Sequence, residues 1–289
     1  MVAARRDPRR DGGLRRGASP GAPRPPRLLL CGARARRRHR ARPLRAVRRP
    51  LRRAGRERVV NEPDLTAVGS ASLLGELLGD RLPPAASIPA AAVDLAGAAR
   101  DLLDAVVGTE VDDGTRARLA AQLREVAAEL RTQRRDPVIV LVRRPDGRID
   151  NLTQAGCGPL NPRAPELRFA PFPPPPAADA PFHPVEVEGT VVLDASFGGG
   201  PGRAHGGVVA GLFDEALGRA NTAAGLNGMT VALEVRFRAG APLGVPLRVT
   251  ARCDRVDGRK RFSSGELWSG DTLVAEAHAV YVTERAPGS

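Results

Sequence analysis

The stretch from His205 to Gly218 reads HGGVVAGLFDEALG, and its composition decides the architecture of the surrounding region. Two glycines follow the histidine, apolar residues fill most of the length, and only Asp214 and Glu215 are acidic. Apolar residues around nearly the whole circumference are typical of a helix that other elements enclose. We therefore expect a central helix from about Gly207 to Ala220.

Alternating apolar and polar residues on both sides of this helix predict strands. One strand precedes the helix, between Val185 and Leu193. Four strands follow it, at Met229–Phe237, Leu247–Cys253, Phe262–Trp268 and Leu273–Tyr281. Turn sequences such as Asp257-Gly258 separate them. The order of strand, helix and a four-stranded meander predicts an α+β fold in which an antiparallel sheet wraps around one helix.

Three further segments precede this domain, which we place at residues 182–285. Residues 1–58 are rich in Arg, Pro and Gly and have few large apolar side chains, so we expect a disordered tail. Residues 59–135 predict a helical hairpin whose second helix runs from about Thr115 to Thr132, with a turn and an N-cap supplied by Asp112-Asp113-Gly114-Thr115. Its apolar stripes are expected to pack on the domain that follows. Residues 136–181 form a connector with an Asn-Pro loop and a polyproline run.

The net charge of +13 would suggest a nucleic-acid partner, but the charge is unevenly distributed. Residues 1–58 hold 21 of the 45 basic residues and three acids, a net +18, whereas the remaining residues carry a net −5. Three interpretations of the tail stay open. It could bind nucleic acid through phosphate contacts. It could be an organelle transit peptide, or a translated stretch upstream of the true start.

The cysteines Cys31, Cys157 and Cys253 are widely spaced, and no CxxC pair exists. This spacing favours neither a zinc site nor a disulfide framework, and we expect no metal or cofactor. It is typical of a protein of a reducing compartment, which predicts a cytoplasmic location. The chain has no run of 18 apolar residues, so we expect no membrane partner.

On its face of the predicted helix, Asp214 is the only residue with a large side chain. The residues that share this face at 3.6 residues per turn are all small: Gly207, Ala210, Gly211 and Gly218. Another molecule can therefore approach the backbone there. Free N–H groups at the helix start, beside Gly206, favour negative charge and could stabilise a developing oxyanion. A carboxylate two turns later could act as a general base or as a nucleophile.

Non-catalytic interpretations of these residues remain open at this point. Asp214 and Glu215 could form a solvated stripe on an ordinary amphipathic helix. The two glycines after His205 could belong to a tight turn only. His205 itself could cap that turn as well as contact a substrate.

The run from His205 to Val282 resembles the hot-dog thioesterase superfamily, of the phenylacetate-pathway (PaaI-like) and thioesterase-superfamily-member type. The family segment HGG-x6-D fits here as His205, Gly206, Gly207 and Asp214. Other landmarks of the family are matched by four short motifs: Gly199–Gly202, Met229-Thr230, Asp257–Lys260 and Asn161-Pro162.

The resemblance implies an acyl-CoA thioesterase without metal, working as a homodimer or a tetramer. Asp214 would be the base or nucleophile, the Gly206 N–H would polarise the thioester carbonyl, and His205 would orient the substrate or its loop. Thr230 would help to place the water or the carboxylate, although strand alternation puts it on the polar face, opposite Met229. The implied substrate-binding residues are Gly207, Asn161, Arg259 and Lys260. The alternative is a non-catalytic protein of the same fold that binds acyl-thioesters or regulates a partner.

Overall fold

The computed structural model describes residues 81–174, 176–177 and 180–283. The predicted tail at 1–58 and the first part of the predicted hairpin, up to residue 80, lie outside the described residues. The helices are α1 (Ala90–Gly108), α2 (Asp113–Arg131) and α3 (Gly206–Ala223). The strands are β1 (Leu141–Arg143), β2 (Ile149–Asn151), β3 (Arg168–Phe169), β4 (Glu186–Val192), β5 (Gly198–Gly200), β6 (Arg203–Ala204), β7 (Met229–Phe237), β8 (Pro246–Asp257), β9 (Lys260–Ser269) and β10 (Thr272–Val282).

Six strands form one sheet in the order β3-β4-β8-β9-β10-β7, and every pair in it is antiparallel. Helix α3 packs on the inner face of this sheet, and its Leu212, Phe213 and Leu217 are almost completely buried. The strands alternate as their sequences predict; in β4, for example, every second residue is buried. The predicted α+β hot-dog architecture, an antiparallel sheet around one helix, is confirmed.

The prediction of a four-stranded meander is wrong for its first strand. β7 pairs with β10 instead of β8, so only β8, β9 and β10 follow one another as neighbours. The chain between β7 and β8 crosses the width of the sheet. Near its start, the N–H of Arg238 donates to the carbonyl of Val274 in β10, and near its end the N–H of Gly244 donates to the carbonyl of Leu193 beside β4. The crossing separates β7 from β8 by the two strands β9 and β10.

A β-bulge changes which way one side chain of β7 points. Tyr281 pairs with Thr230, whereas the preceding residue of β10 pairs with Ala232, so Val231 is an extra residue in β7. An extra residue reverses the alternation of faces beyond it. The alternation predicted Thr230 on the face opposite the apolar residues; the bulge instead aligns it with the buried Tyr281, on the helix side. That sequence expectation is therefore wrong, for a local backbone reason.

The helices before the sheet form where the pattern predicts them, but they are poorly covered. The carboxylate of Asp112 caps α2 by accepting the N–H of Thr115 at 2.9 Å. No residue of α2 is buried, and the predicted stripe on it is exposed: Leu119, Leu123, Val126 and Leu130. The expectation that this stripe packs on the following domain is wrong within the described residues. None of the described helices combines the length and the apolar character needed to cross a membrane.

Candidate active site

The central helix begins at a histidine cap. The Nδ1 atom of His205 accepts the N–H of Gly207 at 2.9 Å, and the backbone N–H of His205 donates to the carbonyl of Phe197 at the same distance. The histidine therefore fixes both the start of α3 and the loop that leads into it. Of the two roles that the sequence left open for His205, the structure shows the capping role.

The two glycines after this cap differ in what their N–H groups do. The Gly207 N–H is taken by the His205 ring, whereas the Gly206 N–H has no acceptor among the described residues. A Cβ would be closely approached at both positions, at 3.3 Å from the Phe237 ring for Gly206 and at 3.1 Å from Nδ1 of His205 for Gly207, so a larger residue would require these side chains to shift. The helix start thus presents one unpaired donor, at the positive end of the helix dipole.

Asp214 lies two turns further along α3, and its carboxylate is anchored. The hydroxyl of Thr230 donates to Oδ1 of Asp214 at 2.7 Å. Asp214 is exposed, as are Gly207 and Gly211 on the same face, and a Cβ built at Gly211 would meet nothing within 4 Å. The predicted open face is confirmed. The carboxylate is held on one oxygen and accessible from the side of the small residues.

Tyr281 holds the backbone of the same residue and was missed by the sequence reasoning. Its hydroxyl donates to the carbonyl oxygen of Asp214 at 3.0 Å, and the residue is buried in the core. Burial, together with the negative charge of Asp214, raises the pKa of Tyr281, so the hydroxyl stays a neutral donor. The sequence showed only that Tyr281 belongs to the apolar face of β10. It could not show the hydrogen bond, because the acceptor is a backbone carbonyl 67 residues away.

The second acid of the pair, Glu215, is buried on the other side of the helix. Its Oε1 accepts from the Cys157 thiol at 2.9 Å and from Arg219 at 3.3 Å. Arg219 also reaches Oδ1 of Asp150 at 3.0 Å, so this cluster fastens β2 and its loop to the helical turn that carries Asp214. The solvated-stripe alternative therefore fails for Glu215. The four-residue spacing of Glu215 and Arg219 was the only sequence signal of this cluster.

Burial, assisted by the negative charge of Glu215, raises the pKa of the Cys157 thiol to about 12. The thiol therefore remains protonated at neutral pH and donates to Glu215. Cys157 is a structural donor in this arrangement.

Asn161 is not brought to the carboxylate by any contact among the described residues. Its Nδ2 donates to the carbonyl of Thr153 at 3.2 Å, and its Oδ1 accepts the N–H of Arg163 at 3.0 Å. Both ends of the amide thus serve the fold of the connector loop. Its predicted role in substrate binding stays a prediction.

Arg259 lies in the turn between β8 and β9, and Lys260 is the first residue of β9, at the same end of the sheet as Thr230. Lys260 and Met229 both pair with Val282, from its two sides. Arg259 donates to the carbonyl of Thr283 at 2.8 and 3.1 Å. Both cations therefore lie at the end of the sheet that carries Thr230, about two strand spacings from β7, and their role in substrate binding stays a prediction.

Comparisons with known proteins agree with this geometry. Residues 201–283 match the sequence profile of the Thioesterase superfamily. A stretch of 86 residues is 35% identical to acyl-coenzyme A thioesterase THEM4 of Bos taurus, covering 29% of this chain and 35% of that protein. The chain thus spans about a third of the length of this curated relative.

A solved crystal structure supports the same assignment over a longer range. The protein is described as a thioesterase superfamily protein and is 29% identical to this chain, with a TM-score of 0.56. The similarity covers 69% of this chain and 97% of that one. Residues 201–283, which contain the central helix, its histidine cap and the strands β7 to β10, are thus similar in sequence to the thioesterase superfamily, and the six-stranded sheet around the helix has the hot-dog fold.

Proposed function

We propose that this domain hydrolyses acyl-CoA-type thioesters, with Asp214 as its catalytic carboxylate. The observation that carries the proposal is the hydrogen bond from Thr230 to Asp214. Asp214 lies on the same helix as Gly206, whose N–H is unpaired among the described residues. A carboxylate and an oxyanion donor on one open helix face are the two groups that acyl transfer requires. The name of the Bos taurus relative, an acyl-coenzyme A thioesterase, supports this class of substrate.

In this mechanism the thioester carbonyl oxygen accepts the N–H of Gly206. Negative charge grows on that oxygen when the carbonyl carbon is attacked, and the helix N-terminus stabilises it. As a general base, Asp214 takes a proton from water while the water oxygen bonds to the carbonyl carbon. The C–S bond then breaks, and the thiolate leaves and acquires a proton. As a nucleophile, Asp214 would instead bond to the carbonyl carbon while the C–S bond breaks and the thiolate leaves; water then hydrolyses the resulting acyl anhydride to the free acid and restores the carboxylate.

Thr230 serves either version of the chemistry. Its hydroxyl fixes Oδ1 of Asp214, which leaves Oδ2 to meet the water or the carbonyl carbon. The same hydrogen bond fixes the rotamer of the carboxylate. His205 contributes by capping the helix, which holds the Gly206 N–H in a fixed direction.

The substrate-binding residues belong to the proposal as well. Gly207 leaves room for the substrate at the helix start. Arg259 and Lys260 would meet the phosphates of coenzyme A at the end of the sheet where Thr230 lies. Asn161 would act from the connector loop, where its side chain now bonds only to that loop.

We also propose a homodimer that forms along β7, with a tetramer as a possible further assembly. β7 is the last strand of the six-stranded sheet, and three of its apolar residues are exposed: Met229, Val231 and Phe237. An apolar edge strand is a surface that proteins normally cover. Pairing with a second copy would cover it beside Thr230 and would enclose the open face of the helix.

We propose that the chain is divided into the segments 1–58, 59–135, 136–181 and 182–285. We also propose a cytoplasmic location. The described cysteines support a reducing compartment, because Cys157 and Cys253 are free thiols. The PaaI-like subtype is supported by the HGG-x6-D spacing of the helix start.

The experiment that tests the proposal is the release of free coenzyme A from a panel of acyl-CoA substrates. Purified full-length protein is mixed with short, long and aryl acyl-CoAs, and the thiol produced is followed with a chromogenic reagent. Catalysed release from at least one of these thioesters is the expected result. Saturable binding of acyl-CoA without release would instead identify the non-catalytic binding protein.

A further inference from the structure

A second cavity lies away from the proposed active site. It encloses about 590 Å³ between α1, the connector loops and the β3 edge of the sheet. Its lining includes five arginines: Arg100, Arg144, Arg148, Arg168 and Arg219. Asp214, Thr230 and His205 do not line it. Pockets of this size hold drug-sized or nucleotide-sized molecules.

Positive charge exceeds negative charge in the wall of this cavity. Only two carboxylates line it, Asp150 and Glu166. Arg144 and Arg219 share Asp150, while Arg100 and Arg168 share the half-exposed Glu166 at 3.9 and 3.4 Å. Two more acids touch these arginines from outside the lining, Asp146 on Arg148 and Glu215 on Arg219. Five guanidinium groups therefore face four carboxylates.

Two of these guanidinium groups carry buried donors without an acceptor among the described residues. They are Nε of Arg100 and Nη1 of Arg148. A buried donor of a charged group is costly to leave without an acceptor, so each of these two atoms calls for a partner such as a water molecule or an anion.

Both arginines are also fixed in position, which suits recognition of an anion. The guanidinium of Arg148 lies 4.0 Å from the centre of the Phe172 ring and donates to Asp146. The Nη2 of Arg100 donates to the carbonyls of Pro159 and Asn161 at 2.9 and 3.2 Å. Fixed, planar guanidinium groups are preferred partners of phosphate oxygens.

We propose that this cavity is a second binding site, for a phosphate-bearing small molecule distinct from the thioester substrate. Arg100 and Arg148 would donate to the phosphate oxygens. The apolar part of the wall, which includes Phe169, Pro171 and Leu152, would take the uncharged part of the ligand. The site lies beside the cluster of Asp150, Arg219 and Glu215, so it could bind its ligand whether or not Asp214 is catalytic.

Isothermal titration of the full-length protein with pyrophosphate, ATP and coenzyme A tests this proposal. Arg148→Gln removes one of the two fixed guanidinium groups. Ala170→Glu adds a negative charge at an exposed position of the lining, where folding is not at risk. Arg255→Gln is the matched control, because Arg255 also stacks on a ring, at 3.7 Å from Phe262, but lies outside the cavity. Circular dichroism confirms that each variant is folded.

We expect pyrophosphate and ATP to bind the wild type, the Arg255→Gln control and Asp214→Asn alike. Binding should weaken at least roughly tenfold in Arg148→Gln, the loss expected for one charge-assisted hydrogen bond, and by a similar factor in Ala170→Glu, because the added carboxylate repels the phosphate. Equal binding by all variants would show an adventitious ion only, and no binding of any probe would also overturn the proposal. If the two variants weaken coenzyme A alone, the cavity belongs to the thioester substrate, which contradicts a separate ligand.

Discussion

The hydroxyl of Thr230 donates a hydrogen bond of 2.7 Å to Oδ1 of Asp214. The donor lies on the edge strand β7 and the acceptor on the central helix, and a single extra residue, Val231, turns the donor towards the helix. The position of the carboxylate is therefore coupled to the register of an edge strand. This coupling makes the bulge part of the proposed active site.

Replacing Thr230 by Val should lower kcat while the fold persists. Valine has the shape of threonine but cannot donate, and a hydrogen bond to a charged group contributes about 1.5–3 kcal/mol, which corresponds to roughly a tenfold to hundredfold change in rate. Thr230→Ser keeps the donor and should retain most of the activity. Steady-state hydrolysis of the best acyl-CoA substrate measures both variants; equal rates for Val and wild type would show that this bond has no catalytic role.

Replacing Val231 by Lys should weaken the homodimer. Val231 is 61% exposed on the edge strand, and a lysine placed in an apolar strand interface meets the same charge from the second copy. Val192→Lys is the matched control, since Val192 is 52% exposed but lies on β4, inside the sheet. Sedimentation velocity should show a loss of dimer for the first variant only. Dimers of unchanged stability in both variants would place the interface elsewhere.

Replacing Gly156 by Ala should destabilise the domain. The added Cβ would lie 2.7 Å from Oε2 of Glu215, whose other oxygen is held by Cys157 and Arg219. Because a shift of this buried carboxylate would strain its bonds to Cys157 and Arg219, we expect a loss of about 1–3 kcal/mol in the free energy of unfolding.

Urea denaturation measures the effect, and Gly97→Ala is its control. Gly97 lies inside helix α1, where a Cβ meets nothing within 4 Å, so alanine should stabilise by about 0.5–1 kcal/mol. A neutral or stabilising result for Gly156→Ala would contradict the tight packing of Glu215.

Cys157 should make the stability of the domain depend on alkaline pH. Burial and Glu215 raise the pKa of this thiol from 9.0 to about 12, so the folded state keeps its proton when the unfolded state has lost it. The stabilising contribution is complete below pH 9 and is lost as the pH rises towards 12. The Cys157→Ser variant, which has no titrating thiol, should lose stability less steeply between pH 8 and pH 10.5 in urea denaturation. Identical slopes would contradict this assignment.

Much of the fold was accessible from the sequence because it depends on local patterns. The apolar run from Gly207 to Ala220 predicted α3 to within a few residues at each end, and alternation predicted the strands around it. The run Asp112-Asp113-Gly114-Thr115 predicted a turn and an N-cap, and the cap proved to be Asp112, three residues from the N–H that it accepts. Each of these signals is contained within one element.

Other features required contacts between distant segments. The bulge at Val231 reverses an alternation that looked regular, so Thr230 was placed on the wrong face. The pairing of β7 with β10 depends on a chain crossing that no local pattern records. Glu215 is buried only because Cys157 and its loop, 58 residues earlier, cover it. Sequence periodicity cannot predict which distant segment will lie over a given face.

The rate of acyl-CoA hydrolysis by the Asp214→Asn variant tests the central claim most directly. Asparagine keeps the size of the side chain and can still accept from Thr230, but it can neither take a proton nor attack. We expect kcat to fall by roughly a hundredfold to ten-thousandfold, the usual contribution of a general base, while folding is unchanged. Asp271→Asn, in the exposed turn between β9 and β10, should match the wild type. A folded Asp214→Asn protein with wild-type kcat would contradict the account.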